Sequence, residues 1–476
     1  MSPRSKSVKS RRSGRPVRSA RGKVGPAVAE AHLPSDAELR SLAERILKLS
    51  DADETEVEIS AGADALTRFA NNTIHQNVAE QMLSVSVRTV FGGRTARATT
   101  NKTDDESLRR VVAASGTLAR SQPKHPGLLP MPGSQKYAKV ERYFASTAAA
   151  TPVDRAHAVA RVCALAAKNG QTSAGILSTG ASAMALANSR GLWAAHRQTR
   201  AEFSVTMMDK DSSGWAKANS PDLANLDPEA LAASASQKCA ASQNPREVEP
   251  GRWTVILEPS AVLDLVGFLF YDFAGTSVLD QRSCFNKRMG KKLMGENISI
   301  RDDVTHPLQS GAPFDGEGVP RQKVLLVDRG VPKNLVYARA TAKKMKAKAT
   351  GHGLPLPNQD GEAPVNLVFD GGKTSVEEMV ASTDRGILLT RMWYIREVEP
   401  YEKVLTGMTR DGSFLVENGR IVSGIRNFRF NQGILEMLSN VEQMGPAVRA
   451  AGEESFEMVV PAMKVRNFHF SEVTKF

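Results

Sequence analysis

The stretch Leu83-Ser84-Val85-Ser86-Val87-Arg88-Thr89-Val90-Phe91-Gly92-Gly93-Arg94-Thr95-Ala96-Arg97-Ala98-Thr99-Thr100 decides the fold class. Leu83, Val85, Val87, Thr89 and Phe91 alternate with polar neighbours and share one face of a strand. Gly92-Gly93 supplies the backbone freedom of a tight hairpin, so Arg94 to Thr100 is predicted as the return strand. Just beyond it, Thr103 and Glu106 have capping-box spacing and open a predicted helix through Leu108, Val111 and Val112. Upstream, a short strand is predicted around Val57 and Ile59. A helix starts at Ser35, capped with Glu38, with Leu39, Leu42, Ala43, Ile46 and Leu47 on one face. Strand, strand, hairpin and helix make a small α+β unit over residues 35–125.

Residues 121–148, rich in proline and glycine, read as a connection. Thr151 is a predicted N-cap with Pro152 at the first helical position, and Asn169-Gly170 closes that helix. Strand-like segments run to about Met208, turning at Asn188-Ser189-Arg190-Gly191 and at Asp209 to Gly214. An Ala-rich helix begins at Asp227-Pro228 and stops before Asn244-Pro245, which closes a second α+β region at 148–245. The region 250–476 is the largest. It has predicted strands at 254–257, 324–328, 366–369 and 387–398, a terminal strand through Val465 and Phe468, and a hairpin on Asn418-Gly419. Helices are predicted over 261–275 and 433–444. The fold class is α+β: N-terminal α/β regions of small mixed sheets with helices, followed by a large β-rich C-terminal domain.

The chain has 476 residues, 41% of them hydrophobic, enough for two or three domains with cores of their own. Its net charge of +12 suggests nucleic acid until the charge is located. Residues 1–23 hold nine Lys or Arg and no acid, which leaves +3 for the rest. Residues 1–34 therefore read as a disordered basic tail with too little apolar surface to fold, and nucleic acid is a partner only through that tail. Cys163, Cys239 and Cys284 are far apart and odd in number, which argues against a disulfide framework and for a cytoplasmic chain. The most apolar stretch, 261–275, is interrupted by Asp264 and Asp272, so it reads as a core helix and not as a membrane span.

The usual signatures of chemistry are missing. No two of the eight histidines are closer than His125 and His157, so no pair has the helical spacing that holds zinc. There is no Gly-x-Ser-x-Gly elbow. Cys284 reads as a core hydrophobe. Gly316-Glu317-Gly318 and Gly351-His352-Gly353 read as turns, and Asp302, Asp303 and His306 as an exposed loop before Pro307.

Several strings nonetheless resemble the TldD/PmbA family, the modulator-of-gyrase type of metallopeptidase. They are Leu66-Thr67-Arg68-Phe69-Ala70-Asn71-Asn72 with Ile74-His75-Gln76-Asn77; Asn188 to Leu192; Pro313 to Gly318; Gly386 to Arg396; Leu405 to Gly412; Glu417 to Gly419; Asn427 to Asn431; and Pro461 to Arg466. The resemblance spans the chain from about residue 55 to its end. In the family, one kind of chain carries His-Glu-x-x-x-His on a helix of the third region and a later cysteine, and binds zinc for peptide hydrolysis. The other, PmbA-like or TldE-like, lacks these and pairs with the first. Here the matching helix offers Leu263, Asp264, Phe268 and Tyr271 but no histidine, and no cysteine follows Asn440.

The resemblance implies a non-metal subunit of a peptidase complex that degrades unfolded or short peptides. Its partner would be a TldD-like zinc-bearing subunit or a second copy of itself, with zinc expected only on the TldD-like partner, no cofactor on this chain and no membrane. No catalytic or metal-binding residue is assigned. Candidate peptide-binding or structural positions are Arg68, Phe69, Asn71, Asn72, Arg391, Trp393, Tyr394 and Arg410. Asn71 and Asn72 also fit a turn, and Met392 to Ile395 fit sheet packing. Arg391 and Arg396, five apart, are expected on opposite faces of a strand. Two rival readings stay open: a self-sufficient homodimer with a remodelled site, and a non-enzymatic scaffold with a nucleic-acid-binding tail.

Overall fold

A computed structural model describes residues 33–474; the basic tail, up to residue 32, lies outside the described residues. The first two regions share one six-stranded antiparallel sheet, in the order β3-β2-β1-β4-β5-β6. Its strands are β1 (Glu54–Ala70), β2 (Thr73–Phe91), β3 (Arg94–Thr100), β4 (Thr172–Asn188), β5 (Trp193–Met208) and β6 (Ser213–Ser220). The strand expected around Val57 is thus much longer and runs to Ala70. Asn71 and Asn72 turn it back into β2 with φ of 51° and 58°, the left-handed pair that a two-residue hairpin needs. Gly92 and Gly93 do the same between β2 and β3.

Four helices lie on one face of this sheet: α1 (Asp36–Lys48), α2 (Asp105–Ser121), α3 (Pro152–Lys168) and α4 (Pro228–Ala241). The odd-numbered residues of β1 explain why. Val57 and Ile59 meet Leu39, Ile46, Leu108 and Val111 at one end. Phe69 meets Val159, Val162, Phe203 and Ala232 at the other. Ser35 and Glu38 form the predicted capping box, and Thr151 forms one with Asp154. The box expected at Thr103 and Glu106 does not form. Asp104 is the N-cap instead, its carboxylate accepting from the Ser107 amide at 2.9 Å, because a carboxylate one residue later reaches the same orphan donors.

The other face carries charge. Glu56, 1% exposed, accepts two hydrogen bonds from Arg88 (3.1 and 2.8 Å) and one from Arg97 (2.6 Å). Arg97 also donates to the Leu356 carbonyl at 2.8 Å, which ties the sheet to the third region.

In that region five strands close into a barrel. They are β7 (Gly251–Leu257), β8 (Arg385–Glu399), β9 (Val404–Glu417), β10 (Phe428–Gly433) and β11 (Met463–Val473). The ring runs β8-β7-β11-β10-β9 and returns to β8; only β7 and β8 pair in parallel. Asn418-Gly419 turns β9 into the short strand Arg420–Gly424, as expected. A second, six-stranded sheet is assembled from short strands, among them Ile300–Asp302 and Leu367–Phe369. The helix expected over 433–444 is only Ile434–Ser439, and Val441–Met444 is a strand paired with β11.

Two further expectations are corrected. Asp302 and Asp303 are buried, not exposed. Asp302 bonds the Asn366 amide at 2.8 Å and sits 2.9 Å from His352 Nε2, with both side chains fully buried. His352 Nδ1 is 2.9 Å from the Thr350 hydroxyl. The order acid-histidine-hydroxyl is that of a hydrolase triad, but Thr350 is already bonded to the Tyr337 amide and carbonyl (2.7 and 3.2 Å), so the chain of bonds is structural. The second correction concerns β8. Tyr394 takes φ of 54° in a bulge, so Arg391, Trp393 and Arg396 pair with Arg410, Met408 and Thr406, alternate residues of β9. The extra residue restores Arg391 and Arg396 to one face.

Each of the four tryptophans has a guanidinium over its ring: Arg40 on Trp193 at 4.7 Å, Arg391 on Trp215 at 4.8 Å, Arg385 on Trp253 at 4.6 Å and Arg410 on Trp393 at 4.6 Å. Among the described residues, no helix is long and apolar enough to cross a membrane.

Candidate functional site

The apolar run 261–275 is not one helix. α5 (Pro259–Val266) gives way to a 3-10 segment, Gly267–Phe273, before a last turn at Gly275–Leu279. The two aspartates lie on either side of the change. Asp264 is fully buried, and its carboxylate accepts from the main-chain amides of Glu453 and Glu454 (3.1 Å each) and of Met392 (3.3 Å). It therefore joins the helix to β8 and to the loop after Ala451. Gly452 has to be glycine here, since a Cβ would stand 2.2 Å from the Asp264 carboxylate.

That loop and the 3-10 segment wall a cleft of about 1040 Å³. Phe270 packs edge-on against Tyr271 (4.7 Å) and Phe456 (4.6 Å), giving one wall of aromatic rings. The floor is ionic. Lys403, 4% exposed, reaches Asp272 and Glu397 at 2.6 Å each, and Asp272 also accepts from the Cys284 amide at 2.7 Å. Burial works against the Lys403 charge, but Asp272 and Glu397 outweigh it and hold the ammonium above its usual range. Burial pushes the Asp272 carboxyl up, against the pull of Lys403. Cys284 is buried beside them, its thiol pushed far up by burial and by Asp272, so it supplies no thiolate.

Burial also pushes Asp264 up, to about 7, against the amides that favour its charge. Glu317, buried beside Asp315, is pushed to about 7 as well. The stability that these neutral carboxyls contribute is full below about pH 4 and is lost as the pH rises through 7. Asp264→Asn should therefore make the fall in unfolding midpoint between pH 5 and 8 shallower, with Glu317 and the other raised buried carboxyls keeping part of it. Urea unfolding at several pH values measures it, and an unchanged slope would refute the assignment to Asp264.

The predicted site residues separate. Asn72 pins the end of the first hairpin, its side-chain Oδ1 accepting from the Ser173 amide at 2.6 Å, and Asn71 is the other turn residue. Phe69 is core, stacked with Phe203, and Arg68 is exposed beside Gln76. Arg391, Trp393 and Arg410 do come together, as a joint. The Arg391 guanidinium forks onto Asp411, and Asp411 accepts from Ser213 of β6 at 2.6 Å. Tyr394 is exposed at the bulge, with Arg396 over its ring. None of the eight lines the cleft. Sequence reasoning missed Lys403, Glu397, Glu453 and Glu454. The available signal was the pair Asp264 and Asp272, two charges in an otherwise apolar run.

Among the described residues no group of three or more His, Cys, Asp and Glu is placed to hold a metal ion. The cleft's donors are carboxylates already bound to an ammonium or to main-chain amides, so they do not fit zinc.

Comparison with known proteins then settles the family. Models of the PmbA/TldA metallopeptidase match in chain order: the first domain at 55–119, the central domain at 142–242 and the C-terminal domain at 250–472. A metalloprotease TldD homolog of Buchnera aphidicola is 27% identical over 203 residues, 39% of this chain and 41% of that relative. Metalloprotease PmbA of Escherichia coli O157:H7 is 22% identical over 50% of this chain and 51% of its own length. The chain thus spans about half or less of the length of the curated relatives it matches. Among solved structures, TldE from Thermococcus kodakarensis superposes with a TM-score of 0.83 at 20% identity, covering 91% of this chain and 99% of that one. A protein from Thermotoga maritima described as a modulator of a DNA gyrase superposes at 0.82, with 19% identity. These two likenesses show the fold, and the three domain matches in their order show that the chain belongs to the PmbA/TldD metallopeptidase family.

Proposed function

We propose that this chain is a non-metal subunit of a peptidase assembly, which receives unfolded or short peptides in its cleft while a zinc-bearing homologue performs the hydrolysis. The observation that carries the reading is what occupies the third-region helix and its surroundings. Where the family resemblance leads one to look for histidines, Asp264 is spent on main-chain amides and Asp272 on Lys403. Among the described residues, the cleft's carboxylates are each tied to an ammonium or to main-chain amides and none is grouped to hold a metal or paired with a nucleophile, while the Cys284 thiol behind the floor is held neutral. What remains is an open, aromatic-walled trough of a size for several peptide residues. Substrates of varied sequence suit such a trough if main-chain contacts supply much of the affinity. The assembly works in the cytoplasm, consistent with three free, buried cysteines.

The test mixes the purified chain and a zinc-bearing homologue from the same genome, separately and together, with unstructured peptides. The chain alone should hold no stoichiometric zinc by elemental analysis and cleave nothing. The mixture should form a complex and cleave faster than the homologue alone. Cleavage by this chain alone, insensitive to chelators, would establish the self-sufficient reading instead.

A further inference from the structure

From the cleft's charge and ring geometry we infer that it selects peptide segments carrying arginine or lysine beside an aromatic or aliphatic residue. The inference rests on the reading that the cleft receives peptide, and it adds the side-chain class. Four carboxylates line the cleft (Asp272, Glu397, Glu453 and Glu454) against two cations, Arg282 and Lys403. The cations are already committed. Lys403 is consumed by Asp272 and Glu397, and Arg282 turns to Asp280 at 3.1 Å. Glu453 and Glu454 are less fully matched. Lys217 stands 3.4 Å from Glu453 but is shared with Glu202 at 3.6 Å; Glu454 is held by the amides of Tyr394 and Ile395, and its one cation, Arg396 at 3.9 Å, is exposed and offsets its charge only in part. An incoming cation meets a net negative field there.

The aromatic wall completes the site. Tyr271 is 53% exposed, and among the described residues no guanidinium or ammonium is stacked on it. Its ring, set edge-on to Phe270, offers the cleft a face of the kind that attracts cations. The chain itself displays this mode of recognition at the rim of the same cleft. Arg288 lies 3.8 Å from the Tyr401 ring centroid while its guanidinium bonds Glu402, an arginine held jointly by an aromatic face and a carboxylate. Tyr271 with Glu453 presents the same two elements without an arginine between them. A long side chain could lay its methylenes along Phe270 and Phe456 and place its charge at the carboxylates.

The experiment measures binding of the full chain to two labelled peptides of equal length, one with arginines flanking a phenylalanine, the other with glutamines in their place. The arginine peptide should bind about tenfold tighter at low salt, the advantage shrinking as salt is added. Glu453→Gln should weaken it about fivefold and change the glutamine peptide less than about twofold, whereas Tyr271→Ala should weaken both peptides, the arginine peptide more. An unchanged melting temperature shows that both variants fold. Equal binding of the two peptides, or variants without effect, overturns the charge preference while leaving peptide capture standing. Binding of neither peptide overturns peptide capture, and this inference with it.

Discussion

Glu56→Ala should cost the protein about 3–5 kcal/mol of stability, because it leaves Arg88 buried and charged with no counterion. Arg88 is 3% exposed and Arg97 is mostly buried, and both converge on the Glu56 carboxylate from neighbouring strands of one sheet. Burial works against the Glu56 charge, but Arg88 and Arg97 outweigh it and hold its carboxyl below the usual range. The stabilisation is therefore present above about pH 4.5 and is lost as the pH falls through the folded-state value. Urea unfolding at neutral pH gives the loss. At low pH the wild type loses the same contribution, so the gap between wild type and variant should narrow there. Glu56→Gln, which keeps one acceptor, should lose less. A loss below about 1 kcal/mol, the range of exposed pairs, would mean that water reaches the guanidinium and that this joint is open in solution.

Lys403→Met should cost about as much, roughly 3 kcal/mol, for the mirror-image reason. The methionine fills the side-chain volume but strands Asp272, 2% exposed, beside Glu397. Two carboxylates facing each other without the ammonium cannot both remain ionised in a buried floor, so Asp272 takes up a proton. The penalty should then shrink toward zero as the pH falls to about 4, where both can be protonated. Unfolding curves of wild type and variant across that range decide it, and a penalty independent of pH would mean that Lys403 acts through packing alone.

What could be read from the sequence was local. Asn71-Asn72, Gly92-Gly93 and Asn418-Gly419 each carry their hairpin in two residues, and Ser35 and Thr151 carry their helix starts in four. The pairing of β1 with β4, which makes one sheet of two regions, joins Glu56 to Asn188 across more than a hundred residues. No local pattern announces that. The break after Val266 depends on partners equally remote, with Asp264 bound to residues 392, 453 and 454. For the same reason the candidate site residues were recognisable as motif and not as cleft: Arg391 and Trp393 sit in a joint between sheets, whereas Lys403 gains its meaning only where Asp272 and Glu397 converge on it. The parity argument for Arg391 and Arg396 failed because a single bulge residue, Tyr394, is invisible to alternation.

The arginines over the tryptophans give the molecule an optical readout of its own. Indole emission depends on nearby charge and on contact with water, and here the four rings report three seams. Trp193 with Arg40 watches the docking of α1 on the first sheet. Trp253 with Arg385 watches two neighbouring barrel strands. Trp215 and Trp393, which share Arg391, lie on opposite sides of the joint between sheet and barrel, so their spectra must change together if the two bodies separate. With three tryptophans at a time replaced by phenylalanine, steady-state emission would follow each seam through unfolding or complex formation without any added label.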